Sequence, residues 1–305
     1  MAGLRQTGQL IYADYSQAEL DRQYDAASTV PSLQPFLERW SDDSARARAE
    51  LRNERVAYGD DGRGSYGAQE REWLDVFPAE KAGSPLFVFI HGGYWRRLDA
   101  GYFSFVAGPV VRAGGACALL NYPLAPAASL DEIVDAARRA FIWLAVNATT
   151  RLNATPQRIV VGGHSAGGQL AGMLAATDWS ARGLPEASIG GVFGLSGLYD
   201  VEPVRRSNVN DWLQLRDAAD AERNSPLAHL PHMPVPVVAA VGARESDEFR
   251  RQSRVYADAY RGAGAGASYL EAAEHNHYTI VGELGDSGSS LSKSLNTMLG
   301  LEAKL

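Results

Sequence analysis

A chain of 305 residues, 46% hydrophobic and 21% charged, has room for one large α/β domain with a substantial core. The formal net charge of -7 argues against a nucleic-acid surface and leaves no basic run for anionic membranes, and no apolar run approaches the ~20 residues of a membrane span. Cys117 is the only cysteine, so an intramolecular disulfide and a thiolate metal cluster are both excluded, and its apolar setting reads as a small buried hydrophobe.

In chain order, the start Met1 to Leu20 is polar, with no basic n-region or apolar h-region, so export is not expected and the cytoplasm is the default compartment. Residues 1–70 read as an N-terminal arm or cap, with helices over Ser16–Ala27 and Ser44–Glu54 and a turn-rich loop over Tyr58–Gly67. Residues 71–305 read as a catalytic core within the same single domain. Strands are predicted at Trp73–Phe77, Leu86–Ile90, Cys117–Leu120, Ile159–Val161, Ile189–Leu195, Val235–Val241 and Ser268–Glu271. Between them, Ser129 and Glu132 make a capping box for a helix on which Ile133, Ala136, Ala137, Ala140, Phe141 and Leu144 recur at helical spacing, and a second helix is predicted over Asp247–Tyr260. Alternating strands and helices imply a mostly parallel central sheet with helices on both faces.

Chemistry concentrates after the strands. Gly163-His164-Ser165-Ala166-Gly167 is a Gly-x-Ser-x-Gly sequence set between the strand at Ile159–Val161 and the helix-forming run Leu170–Ala176. Such a strand–turn–helix elbow lifts a serine onto a strained, exposed turn, with glycines where neighbouring backbones approach. Taken alone the pattern occurs by chance in about one such glycine-rich chain in four or five, so partners must support it. Acyl transfer by serine needs a base, an acid that orients the base, and N–H donors for an oxyanion. In the order Ser, acid, His, the acid follows Val237–Val241, where Glu245 lies nearest the strand end and Asp247 competes as a helix-cap acid. Asp200, after Ile189–Leu195, is a third choice. Of six histidines, His91 and His164 belong to glycine-rich turns and His229 and His232 to a proline-rich connection. His275 and His277 share the loop after Ser268–Glu271, with His277 preferred beside the helix start at Tyr278. The backbone N–H of Ala166 and those of Gly92 and Gly93 are the expected oxyanion hole. Tyr94, Trp95, Tyr102, Tyr122 and Trp212 are available as aromatic walls, Tyr94 and Trp95 foremost.

These residues carry a resemblance. With His91-Gly92-Gly93-Tyr94-Trp95, Asn121-Tyr122-Pro123-Leu124-Ala125-Pro126, Gly163-His164-Ser165-Ala166-Gly167-Gly168, Glu245-Ser246-Asp247-Glu248-Phe249-Arg250-Arg251-Gln252-Ser253 and Asn276-His277-Tyr278, the chain resembles the kynurenine formamidases (arylformamidases), α/β-hydrolases related to hormone-sensitive-lipase-like esterases. The resemblance spans about residues 70–285. It implies an α/β-hydrolase fold, a small-molecule aryl formamide or ester as substrate, and no cofactor or metal. It places the nucleophile on Ser165, the base on His277 and the acid on Glu245, where many members have Asp; the esterase relatives more often carry a third glycine where this chain has Tyr94. The implied reaction is hydrolysis of N-formylkynurenine, with a general carboxylesterase and a non-catalytic binding protein on the same fold as the other readings. The sequence leaves the oligomeric state open, a homodimer included.

Overall fold

Leu86, Val88 and Ile90 alternate with Phe87 and Phe89, and every one of them is fully buried. A strand apolar on both sides must be covered on both faces, and each buried side chain of this size stabilises the fold by about 1.5–3 kcal/mol. In the computed structural model, which describes residues 10–58, 70–231, 233 and 235–301, the alternation divides two cores. Leu86, Val88 and Ile90 pack with Ile133, Phe141, Leu170 and Tyr256. Phe87 and Phe89 pack with Trp40, Val110, Leu291 and Leu295. Of the expected turn-rich loop only Tyr58 falls among the described residues; 59–67 and His232 lie outside them.

The strands are β1 Leu10–Tyr12, β2 Tyr15–Ser16, β3 Glu54–Ala57, β4 Trp73–Phe77, β5 Ser84–Ile90, β6 Ala116–Leu120, β7 Ala154–His164, β8 Gly191–Leu195, β9 Val237–Gly242 and β10 Ala267–Ala272. β1 and β2 form a small antiparallel pair, and the other eight make one sheet in the order β10-β9-β8-β7-β5-β6-β4-β3. β5 to β10 run parallel, while β4 pairs antiparallel with both β6 and β3. The carboxyl ends of β10, β9, β8, β7 and β5 therefore stand side by side, and the loops leaving them converge. Among the helices, Leu130–Leu152 opens on the capping box of Ser129 and Glu132, Ala166–Ala175 follows β7, and Asp247–Gly262 follows β9.

The arm departs from its sequence-based outline. The first helix is Gln17–Gln23, capped by Ser16 with Glu19, and a separate 3-10 turn covers Ala26–Thr29. The second starts ten residues before Ser44, as Gln34–Glu50, with Pro35 in its first turn, where a missing N–H costs nothing. It ends at Glu50, and Glu54, the expected last residue of the helix, instead opens β3, an edge strand. Arg55 on β3 bonds Asp75 of β4 through both oxygens, at 2.7 and 2.9 Å, and its guanidinium lies 3.5 Å from the Trp73 ring centre. These cross-strand contacts hold β3 on the edge of the sheet.

Candidate active site

Ser165 stands between β7 and the helix Ala166–Ala175 at φ 57° and ψ -119°, a backbone conformation unfavourable for a non-glycine residue. Close backbone contact holds it there. A Cβ on Gly167 would lie 2.0 Å from the Ile90 carbonyl oxygen, and one on Gly163 would lie 2.3 Å from the Gly167 oxygen. Only glycine permits this crossing of β5, β7 and the helix start. The Ser165 hydroxyl is buried without a hydrogen-bond partner. Ala166 is the first residue of its helix, so its N–H has no carbonyl a turn earlier to bond.

The loop after β10 brings His277 to the same place. His277 Nδ1 donates to Glu245 Oε2 at 2.6 Å, with both side chains almost wholly buried. Glu245 is held from its other oxygen, Oε1, by the Ser196 hydroxyl at 2.6 Å and the Gly242 N–H at 2.7 Å. Three donors on one carboxylate fix its direction, which in turn fixes the Nδ1-protonated tautomer of His277. His164 Nε2 donates to the His277 carbonyl at 2.8 Å, with the two rings 4.6 Å apart. Burial, and next the neighbouring His277, hold His164 well below the usual histidine range, so it acts as a neutral strut.

The competing residues have other partners. Asp247 is the first residue of helix Asp247–Gly262, its side chain 76% exposed, and it faces Arg250 at 3.5 Å. Asp200 caps helix Val201–Arg206 and accepts from Tyr12 and Arg251. His275 bonds Thr279 and lies 3.3 Å from Glu283, in a separate cleft of about 560 Å³.

Gly92 and Gly93 lie at the end of β5. A Cβ on Gly92 would come within 3.1 Å of the Ser165 Cβ, so this turn lies directly against the serine. Gly93, at φ 111°, closes a tight turn in which its carbonyl accepts from the N–H groups of Arg96 and Arg97. His91 braces the turn from behind: its ring stacks 4.2 Å from Tyr122, and Nδ1 donates to the Gly92 carbonyl at 2.7 Å. Burial pushes the His91 pKa down to about 3 from its ordinary 6.5. Between those values the unfolded chain binds a proton that the folded chain does not, so this contribution to stability is complete above about pH 6.5 and is lost as the pH falls toward 3. His91→Gln is therefore expected to lose less of its melting temperature than the parent between pH 7 and pH 4.5, as read by thermal unfolding at both. An equal loss in the two proteins would contradict a buried neutral His91.

Ser165, His277, His164 and Gly93 open onto a cavity of about 330 Å³, within the range of small-ligand sites. Tyr94 and Trp212 line it, as the aromatic residues of the sequence suggested, but Trp95 does not. Trp95 is fully buried, donating to Gln169 Oε1 at 3.0 Å. Tyr102 and Tyr122 are likewise absent from the lining. Much of the opposite wall comes from the arm, through Tyr24, Leu33, Phe36, Leu37 and Trp40. Neither these residues nor Ser196 figured among the sequence candidates. The arm carried a usable signal in Phe36, Leu37 and Trp40, which share a helical face just after Pro35, and Ser196 ends β8 as Ser165 ends β7.

A family profile described as alpha/beta hydrolase fold matches residues 87–281. The kynurenine formamidase of Danio rerio is 33% identical over 242 residues, covering 77% of this chain and 80% of the relative. The chain belongs to the kynurenine formamidase family of α/β-hydrolases. It is a hydrolase. A solved protein from Silicibacter sp. TM1040 superposes with a TM-score of 0.77 at 28% identity, covering 90% of this hydrolase and 98% of that chain. An esterase from the bacterial hormone-sensitive lipase family shares the fold, with a TM-score of 0.65 at 19% identity over 87% of this chain and 99% of that one. Among the described residues no helix is long and apolar enough to cross a membrane.

Proposed function

We propose that this hydrolase cleaves an N-formyl aryl amide, N-formylkynurenine above all, through a formyl-serine, and that residues 1–305 work as one unit with the arm as roof of the site. The observation that carries the chemistry is the chain of contacts from Glu245 to His277 at 2.6 Å beside an unpartnered Ser165 hydroxyl in the same cavity. The likeness to the kynurenine formamidase of Danio rerio supports the choice of substrate.

In this reading the Ser165 oxygen attacks the formyl carbon and passes its proton to Nε2 of His277, while Glu245 stabilises the imidazolium. The N–H groups of Gly92, Gly93 and Ala166 hold the oxyanion, aided by the positive end of helix Ala166–Ala175. The C–N bond then breaks, His277 returns the proton to the leaving aniline nitrogen, and water attacks the formyl-serine to release formate and regenerate the serine. A non-catalytic binder would have little use for the φ 57° strain at Ser165 or for a carboxylate held by three donors.

A general carboxylesterase would use the same groups, since an ester is the easier acyl donor. Values of kcat/KM for N-formylkynurenine and p-nitrophenyl acetate, measured side by side, separate the two. Efficient formamide turnover is expected; ester turnover with negligible formamide turnover would overturn the formamidase reading.

A further inference from the structure

Three formally charged side chains line the Ser165 cavity: Arg96, Arg97 and Asp25. Two positive and one negative give this wall a formal +1, in a chain whose net charge is -7. Most arginines elsewhere end on carboxylates: Arg55 on Asp75, Arg139 on Glu72, Arg223 on Asp131 and Asp220, Arg251 on Glu248. Arg96 and Arg97 form no ion pair with a described residue. Arg96 lies over the Trp212 ring at 4.6 Å, against another lining residue. The turn that carries both is closed by their backbone N–H groups, which bond the Gly93 carbonyl at 3.0 Å each. Two unpaired guanidiniums are thus mounted on the same tight turn as an oxyanion donor.

We propose that Arg96 and Arg97 bind a carboxylate carried on the leaving group, so that the cavity selects acyl donors with an α-amino-acid tail over neutral ones. Asp25 takes the ammonium of that tail; one of its oxygens caps the turn at Ser28, and its other oxygen is available. A formyl group is a single carbon, so nearly all of such a substrate lies on the leaving side. Arg96 and Arg97 are exposed at the cavity's rim, and guanidinium matches carboxylate in shape as well as charge. The inference rests on Ser165 being the acyl acceptor of this cavity, as argued above.

The test is a ratio of kcat/KM values, N-formylkynurenine over 2-formamidoacetophenone, which keeps the aryl ketone and lacks the amino-acid tail. Because it is a ratio, it is insensitive to how much of a variant folds. The parent should prefer the charged donor, and the double variant Arg96→Gln, Arg97→Gln should lower the ratio roughly ten- to a hundredfold, chiefly through KM of the charged donor. Arg96→Lys, Arg97→Lys should recover part of it. An unchanged ratio in the Gln variant overturns the proposal. If neither formamide is hydrolysed, the same ratio is taken with 4-acetoxyphenylacetate over phenyl acetate. A preference for the charged ester that falls in the variant then keeps the arginine site while the formamide assignment fails, and no preference sinks both.

Discussion

Ser165→Ala is expected to lower kcat by about 10⁴- to 10⁶-fold, because in the proposed mechanism Ser165 is the nucleophile and its loss disables the base and acid along with it. Stability should barely change. The hydroxyl makes no hydrogen bond, and the φ 57° conformation is set by Gly163, Gly167 and the backbone of β5 rather than by the side chain. Steady-state rates beside thermal unfolding check both halves. A variant that unfolds early would mean that the serine side chain itself holds the elbow, and residual turnover near the parent's would remove it from the chemistry.

Glu245→Gln is expected to cost about 10⁴-fold in kcat, and Asp247→Asn almost nothing. The physical reason is tautomer control. In the Gln variant the carbonyl oxygen can still accept from Ser196 and Gly242, which directs the amide NH2 toward His277 Nδ1. An NH2 cannot accept from Nδ1–H, so the imidazole moves its proton to Nε2, the atom that must receive the serine proton. Asp247 is on the outer surface, paired loosely with Arg250, and its carboxylate touches nothing in the site. Collapse of kcat in the Asp247 variant alone would reverse the assignment.

The parallel part of the sheet was legible because its strands are continuous apolar runs: Leu86–Ile90 and Cys117–Leu120 have no polar residue to place on a wet face. The elbow was legible for a related reason, since glycines at 163 and 167 are demanded by backbone contacts of 2.0–2.3 Å. What local pattern could not give is long-range pairing. β3 exists through Arg55 meeting Asp75 and Trp73, twenty and eighteen positions away, and local sequence carries no trace of that meeting. Trp95 and Tyr94 are adjacent aromatics with opposite fates, Trp95 donating to Gln169 in the core and Tyr94 lining the cavity and donating to the Tyr24 carbonyl, partners that lie far away in sequence. Likewise Glu245 and Asp247 differ by two positions, and only the carboxyl end of β9 makes one of them internal.

The arm is joined to the core beside the acid-bearing loop: the Ser246 hydroxyl donates to the Gln23 carbonyl, Tyr24 to Glu248, and Gln252 to the Tyr24 hydroxyl. Tyr24, Leu33, Phe36, Leu37 and Trp40 supply a wall of the cavity, and among the described residues no side chain of the arm hydrogen-bonds the Ser165 or Glu245 side chain. In the proposed function the bond-breaking groups all belong to the core, while recognition is shared between the core turn carrying Tyr94, Arg96 and Arg97 and the arm. Segments 10–50 exchanged among relatives could retune what is admitted while the hydrolytic groups stay constant, which makes this short stretch a natural place for divergence in substrate range and for directed evolution of it.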